Sequence, residues 1–456
     1  MAATTPLLGV SGISVRRGSR QVLEEVDLEV VRGEVVLLVG ENGAGKSTLL
    51  EAAAGLLPLN AGEVFHAGEM ARDSEGRRNR PAPFGLTLQS GGFCQDELVE
   101  ERVATAVRVA GHEPDEEWTA ERLEQWGLRH RAKDRIAWLS DGMMRRLGVI
   151  AGLVPALASD EPRLILLDEP SEGLDETSIS TLCEQISGLA AAGHGFLIAT
   201  HDSELFGLAT RTLRISGGNL TETGAGRPTG SDNTETPEST QLKPREKEGF
   251  YTGNLFQWCT PLERRTYASI IPAVTAALLA FILIEGMILA IGLPEHRGWG
   301  AAFALTPGFL AALTAPGLLR FLADSRAGDW WNAHNGGHVQ MGNWMFVSVW
   351  GFLVSVPIIY LILGTIDAQT ILAALGVGFI AFGSARIHAM QSLFGRQGAT
   401  FQILLMSILI YPFLLIIDFL TWSSSTALST EGMIGLAQAI GIPLAIFFFL
   451  PLIASE

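Results

Sequence analysis

Apolar residues in the first forty positions come in short bursts. Leu7 to Val15, Val22 to Val31 and Glu34 to Val39 each read as a strand bounded by turn residues, an antiparallel flank leading into a buried strand. Further on, Leu86-Thr87-Leu88-Gln89 reads as a short strand followed by the flexible Ser90-Gly91-Gly92. Glu97 to Ala110 and Asp115 to Leu128 then carry a helical period, the second with Trp118, Leu123 and Trp126 as its apolar positions. Leu139-Ser140-Asp141-Gly142 reads as a helix start, with Ser140 as N-cap ahead of Met143, Met144, Leu147, Val149 and Ile150. The run from Arg163 to Pro170 is apolar on both faces, as a central parallel strand requires, and ends in two carboxylates, Asp168 and Glu169. A last strand, Gly195 to Thr200, ends in His201-Asp202. Strands alternating with helical stretches predict an α/β domain over residues 1–220, with a small helical insertion over 96–140.

The pattern then changes twice. Residues 221–249 are rich in Thr, Glu, Ser, Pro and Gly without an apolar period, and predict a disordered linker. Residues 250–266 open on an amphipathic stretch with Tyr251, Phe256 and Trp258 as candidate membrane-interface anchors, and end near Arg264-Arg265. From 267 to 456 the chain is apolar in long runs. A hydrocarbon core about 30 Å thick needs about 20 helical residues to cross it. Six runs approach that length: Ala268 to Leu293, Ala301 to Leu322, Met345 to Gly364, Ile371 to Ile387, Phe401 to Leu420 and Met433 to Ile453, the fourth being the weakest. They predict an all-α, six-helix transmembrane domain.

Charge sharpens this division. Of 456 residues, those from Tyr251 onward hold seven arginines, no lysine and nine Asp plus Glu; the first 250 hold 25 basic against 39 acidic residues, a net charge of −14. An acidic front offers no basic footprint for nucleic acid, which is therefore not an expected partner. With the front inside, Arg264, Arg265, Arg320, Arg326, Arg386 and Arg396 fall on cytoplasmic ends and Arg297 outside, a bias that fits the positive-inside rule. The expected location is the inner (plasma) membrane, multi-pass, with the α/β domain and both termini cytoplasmic. The three cysteines, Cys94, Cys183 and Cys259, have no metal-like spacing and read as reduced thiols.

Chemistry concentrates at Val36 to Thr48, VLLVGENGAGKST. The spacing Gly40-x-x-x-x-Gly45-Lys46-Ser47 lets backbone N–H groups of Gly40, Glu41, Asn42, Gly43, Ala44, Gly45, Lys46, Ser47 and Thr48 wrap nucleotide phosphates at a helix N-terminus. Lys46 would neutralise phosphate charge and Ser47 would ligate Mg²⁺. Asp168 stands where it would hold the same Mg²⁺, and Glu169 where it would polarise an attacking water. His201 reads either as a γ-phosphate contact or as an ordinary loop histidine. Gln89 on its own reads as a solvated loop side chain.

The order of these pieces resembles the ATPase domain of an ATP-binding cassette (ABC) transporter over roughly residues 7–218. The resemblance implies ATP and Mg²⁺ as cofactors, Gln89 as the Q-loop residue and a metal ligand, Leu139 to Met143 as the signature, Ser171 to Asp175 as the D-loop and His201 as the switch histidine. It further implies that Ser140 and Gly142 bind ATP held by a partner subunit, with Asp175 lining the same site. Two positions depart from the family. The signature reads LSDGM rather than LSGGQ, and Arg17 stands about where an aromatic ring often packs on adenine.

One ATPase and one membrane half imply a half-transporter that works as a dimer, a homodimer being expected, with membrane lipid and periplasmic or membrane accessory proteins as further partners. Arg16-Arg17-Gly18, Ala52 to Pro58 and Leu139 to Arg146 resemble the ATPase subunit of the cytochrome c maturation haem exporter. The run Ile403 to Asp418 faintly resembles that system's membrane subunit. Lipid or drug exporters of the ABC-2 type share the layout. Three readings stay open: an exporter, an ATP-driven machine that releases a cofactor at the membrane, and a weakly hydrolysing regulator. In the membrane half, Glu285 lies mid-run where an ionisable group costs at least about 2.5 kcal/mol, so it is expected to face other helices or a cavity. Asp324 to Asn343, with Trp330-Trp331 and His334 and His338, reads as a segment packing on the ATPase, or else as a pair of haem-iron ligands.

Overall fold

The computed structural model describes residues 5–89, 91–225, 242–243, 257–258, 261–262, 265, 270–291, 295–314, 326–335, 339–364, 366–390, 406–422 and 427–454. The chain divides into two compact units, Met1–Trp258 with Ser325–Val339, and Cys259–Asp324 with Gln340–Glu456.

Two sheets build the first unit. β1 (Leu8–Arg17) and β2 (Arg20–Val30) form an antiparallel hairpin, and β4 (Ala61–His66) and β5 (Glu69–Asp73) extend it in the order β2-β1-β4-β5. The second sheet runs in the order β10 (Asn219–Ala225), β9 (Arg211–Ser216), β3 (Val35–Val39), β8 (Gly195–Ala199), β7 (Leu164–Asp168), β6 (Gly85–Thr87). Its middle is parallel: β3 lies between β8 and β9, while β7 lies between β8 and β6. β7 and β8 are buried along their whole length, which is why they read as unbroken apolar runs. Five helices complete this part of the unit: α1 (Lys46–Ala53), α2 (Val99–Val109), α3 (Glu116–Gln125), α4 (Asp141–Leu157) and α5 (Glu176–Ala191).

Several expectations are corrected here. Gly195 to Ala199 is not the last strand, because β9 and β10 (Asn219–Ala225) follow it as an antiparallel pair. The expected linker therefore begins too early: Thr221 pairs with Arg214 and Ala225 with Arg211. Within that stretch Leu242 is buried and Lys243 accepts from the Glu113 amide at 3.1 Å. Trp258 is no interface anchor, for its indole is buried inside the first unit and its Nε1 donates to Glu97 at 2.6 Å. Tyr251 and Phe256 lie outside the described residues.

The second unit is helical: α6 (Ile270–Ile291), α7 (Glu295–Thr314), α9 (Val339–Leu363), α10 (Ala368–Met390), α11 (Ile410–Thr421) and α12 (Thr430–Ala454), where α8 (Ala327–His334) belongs to the first unit. α10 packs against α7, α11 and α12. Small residues permit close approach, as membrane-type helix packing demands: a Cβ on Gly351 would lie 3.2 Å from the Gly378 Cα. Phe309 and Phe413 stack with ring centroids 4.0 Å apart at the centre. Among the described residues, two stretches are long and apolar enough to cross a membrane, Ala368–Ile387 and Thr430–Phe449. The first is 67% buried by its neighbours and the second 22%. That difference explains the weak fourth run: α10 faces helices, so alanine and glycine stand where a lipid-facing helix carries larger apolar side chains. Glu285, expected to face other helices or a cavity, is exposed on α6 and so is not packed against other helices.

Candidate functional site

The P-loop joins the carboxyl end of β3 to α1. Gly45 precedes the helix at φ 113°, a conformation that disfavours any side chain, and a Cβ there would press on Val22 at 3.1 Å. A Cβ on Gly40 would sit 2.7 Å from the Ile215 carbonyl oxygen, so the sheet itself crowds the loop. Lys46 folds back over the loop, its Nζ donating to the Gly40 carbonyl at 2.9 Å and the Glu41 carbonyl at 3.4 Å. The ammonium is thereby held above a ring of backbone amides at the positive end of α1, which suits polyphosphate.

Across the sheet, β7 delivers its two carboxylates to the same place. Ser47 Oγ donates to Asp168 Oδ1 at 3.1 Å. Glu169 leaves the strand at φ 47°, a left-handed conformation of the kind found at functional sites, and its amide donates to the Ala199 carbonyl at 2.9 Å. That turn aims the Glu169 carboxylate inward, with Oε1 3.9 Å from Lys46 Nζ and Oε2 2.9 Å from His201 Nδ1. The Glu169 side chain is 8% exposed and that of His201 69%, so the carboxylate is sheltered and the imidazole caps it from solvent. Burial pushes the Asp168 carboxyl up to about 6; the Ser47 hydrogen bond opposes this, while the charges of Glu169 and Glu51 add to it. Lys46, Ser47, Asp168, Glu169 and His201 thus form one constellation. Among the described residues no group of three or more His, Cys, Asp or Glu is gathered as a ready metal cage.

Other expected site residues stand apart. Gln89 is exposed just beyond β6. Ser140 is the N-cap of α4, its Oγ accepting from the Met143 amide at 3.4 Å, and both Ser140 and Asp141 are exposed. Asp175 is the N-cap of α5, accepting from the Ser178 amide at 2.8 Å. Arg145 on α4 binds Glu172 Oε2 at 2.9 Å, and a Cβ on Gly142 would lie 3.0 Å from the Gly173 carbonyl oxygen. The starts of α4 and α5 are tied together, but no described contact joins Ser140, Gly142 or Asp175 to residues 40–48.

Behind the P-loop helix, α8 packs into the same unit. Its Trp330 lies under the buried Arg102 guanidinium, whose Cζ is 3.9 Å from the ring centroid, a cation–π geometry. His334 stacks on Phe84 with centroids 4.7 Å apart, and its ring nitrogens sit 2.8 Å from the Trp330 carbonyl and 3.1 Å from the Phe84 carbonyl. Burial lowers its pKa to about 4. Both nitrogens face backbone carbonyls, so the alternative of His334 as a haem-iron ligand is set aside; His338 lies outside the described residues. Trp331 meets Trp258 with centroids 5.4 Å apart. The packing alternative for this segment is the one the geometry supports. Unforeseen in the sequence are three buried charges, Glu51 on α1, Arg102 on α2 and Glu97 just before α2; for the two on helices an interruption of the apolar period was the available signal.

Residues 23–172 match the family model described as ABC transporter. The chain is 36% identical over 222 residues to the Fe(3+) ions import ATP-binding protein FbpC of Streptomyces coelicolor, covering 48% of this chain and 62% of that protein. It is 35% identical over 231 residues to the lipoprotein-releasing system ATP-binding protein LolD of Anaplasma marginale, covering 49% of this chain and 100% of that protein. The macrolide export ATP-binding/permease protein MacB of Marinobacter nauticus matches at 33% identity over 48% of this chain and 34% of its own length. The chain thus spans under two thirds of the iron-import relative and the whole of the lipoprotein-releasing one. A solved ATP-binding subunit of an ABC transporter superposes with a TM-score of 0.42 at 26% identity, over 48% of this chain and 90% of that one. With an entire relative matched at 35% identity, this chain belongs to the ABC transporter ATP-binding family, and its amino-terminal half is that family's ATPase domain.

Proposed function

We propose that the chain is a half-transporter in which ATP hydrolysis, carried out in a dimer, drives the helical carboxyl-terminal unit to export a cargo across, or release it at, the membrane. The observation that carries this reading is the joining of Lys46, Ser47, Asp168, Glu169 and His201 around the phosphate-binding loop. The loop amides and Lys46 hold the triphosphate. Glu169 orients a water and accepts its proton as the water oxygen bonds to the γ-phosphorus; the bond from that phosphorus to the bridging oxygen breaks, and ADP and phosphate leave. His201 fixes the Glu169 carboxylate and reaches toward the γ-phosphate.

The residues present fit Mg²⁺. A buried carboxylate held near pKa 6 by burial and like charges is short of cations, and the Ser47 hydroxyl beside it supplies a second oxygen. Two protein ligands suit an ion that takes its other ligands from phosphates and water. Held by Asp168 and Ser47, Mg²⁺ would neutralise phosphate charge there. Gln89, exposed beyond β6, is the further ligand this reading assigns. The separation of Ser140, Gly142 and Asp175 from the P-loop in one chain supports their use across a dimer interface, on ATP held by a second half-transporter.

Named functions among the relatives span iron import, lipoprotein release and macrolide export. The haem-related reading, in cytochrome c maturation, rests on Arg16 to Gly18, Ala52 to Pro58 and Leu139 to Arg146. Glu169 argues against a weakly hydrolysing regulator. The test is ATP turnover by the full chain in lipid nanodiscs, with haem, lipids and drugs added in turn. Turnover that vanishes with Lys46→Ala and rises with one cargo class supports the proposal; turnover indifferent to Lys46 overturns it.

A further inference from the structure

The carboxylate of Glu51 is 5% exposed and lies between two guanidiniums from distant parts of the chain. One is Arg17, at the end of β1, paired with Glu51 Oε2. The other is Arg326, whose Nη2 lies 2.7 Å from Glu51 Oε1. Arg326 is the residue immediately before α8, and its Nε also donates to Asp329 at 2.7 Å. It holds φ 61°, an unfavourable conformation for a side-chain-bearing residue, so its two carboxylate contacts fix an otherwise strained turn. Glu51 stands five positions after Lys46 on α1, about 7.5 Å along the axis from the P-loop lysine.

We propose that Arg326 is a positioning residue that acts through Glu51 to make the seating of the 326–335 segment and the binding of nucleotide at the P-loop mutually reinforcing. The proposal rests on the functional reading above and goes beyond it by naming the link. A buried carboxylate beside the phosphate site repels polyphosphate; flanked by Arg17 and Arg326 it no longer does. Seating brings Asp329 in with Arg326, so the four groups carry no net charge; Asp329 is 43% exposed and screened by water, and the segment presents its cation to the buried Glu51 carboxylate. Bound phosphates in turn favour the cation at Arg326. By linkage, whatever seating adds to nucleotide affinity, nucleotide adds to seating. For charges about 10 Å apart at surface-like dielectric, the effect expected on affinity is about three- to tenfold.

The experiment uses the full chain in nanodiscs, a non-hydrolysable ATP analogue, and hydrogen exchange read over residues 326–335. In the wild type, the analogue raises protection of that segment. Arg326→Gln is expected to weaken analogue binding about three- to tenfold, to raise KM by more than it lowers kcat, and to abolish the nucleotide-dependent protection. Arg326→Lys, which keeps the charge, restores most of the affinity. In a Glu51→Gln background the Arg326→Gln penalty shrinks below about twofold, because Arg326 is no longer held against α1. Unchanged affinity together with unchanged protection in Arg326→Gln overturns the proposal, as does a full penalty persisting with Glu51→Gln. Either outcome, with turnover still abolished by Lys46→Ala, leaves the ATPase reading standing, so the two failures are distinguishable.

Discussion

Burial of Asp168 beside Glu169, with Glu51 contributing charge, raises its pKa from 3.8 to about 6, and this makes Asp168→Asn a test of the site's electrostatics apart from catalysis. A group whose folded pKa is raised binds more protons folded than unfolded between the two values. Stability is therefore highest below pH about 4, falls as pH climbs through about 6, and stays at the lower level above it. About two pKa units correspond to about 3 kcal/mol lost at pH 8 relative to pH 4. Asparagine cannot ionise, is close in shape, and still accepts from Ser47 Oγ through its amide oxygen. After allowing about 1 kcal/mol for the weaker neutral hydrogen bond, the variant should be about 2 kcal/mol more stable at pH 8. For a unit of this size that is roughly 4–8 °C in melting temperature. Thermal unfolding of the first unit is followed within the full chain, free of nucleotide and divalent cations, at pH 8 and pH 4.5. The gain should be present at pH 8 and largely gone at pH 4.5. Adding Mg²⁺ and nucleotide at pH 8 should raise the wild-type melting temperature and leave the variant nearly unmoved. An equal difference at both pH values, or a less stable variant at pH 8, would refute the reasoning.

Three other substitutions probe the remaining parts. Glu169→Gln should cut turnover by at least about a hundredfold while a fluorescent ATP analogue binds as before, and near wild-type turnover would remove Glu169 from its role. Trp330→Ala strips the face from buried Arg102 and should destabilise seating of α8 by about 3–5 kcal/mol, read as lost protection in hydrogen exchange over 326–335. Asp141→Gly removes an exposed carboxylate from the first turn of α4, where it favours the helix by about 0.3–1 kcal/mol. If Asp141 repels the partner's triphosphate, the same variant should dimerise more tightly with ATP, and unchanged dimerisation would leave only the helix role.

Legibility followed the physics of each element. β3, β7 and β8 were readable because a strand buried on both faces can be only apolar, and the P-loop because its glycines stand where side chains collide or φ turns positive. β4, β5, β9 and β10 were missed, being short and half-exposed, with charged and turn residues such as Glu63, Arg72, Asp73 and Asn219 breaking their alternation. Lys46, Ser47, Asp168, Glu169 and His201 were each visible in sequence, and the geometry brings them together. What could not be read is the partner of a buried charge. Nothing near Glu51 in sequence points to Arg326, which lies 275 positions away; nothing near Glu97 points to Trp258. Trp258 looked like an interface anchor because an indole with one polar edge suits a membrane surface and a buried carboxylate equally well.

Those pairings bear on what this ATPase domain is built for. Glu97, two residues before α2, and Arg102, near the start of that helix, are both buried. Burial raises the Glu97 pKa and lowers that of Arg102 to about 10, each opposed by the other's charge. A buried pair of this kind is costly unless further groups satisfy it. Trp258 donates to Glu97 and Trp330 covers Arg102, and both tryptophans come from beyond residue 250. Truncating the chain after β10 would expose the α2 charges to water and lose Leu242, Trp258 and α8 from the surface they cover. In this chain the domain's own stability is tied to the segments that follow it, so seating α8 is part of completing the ATPase fold as well as of transmitting its state.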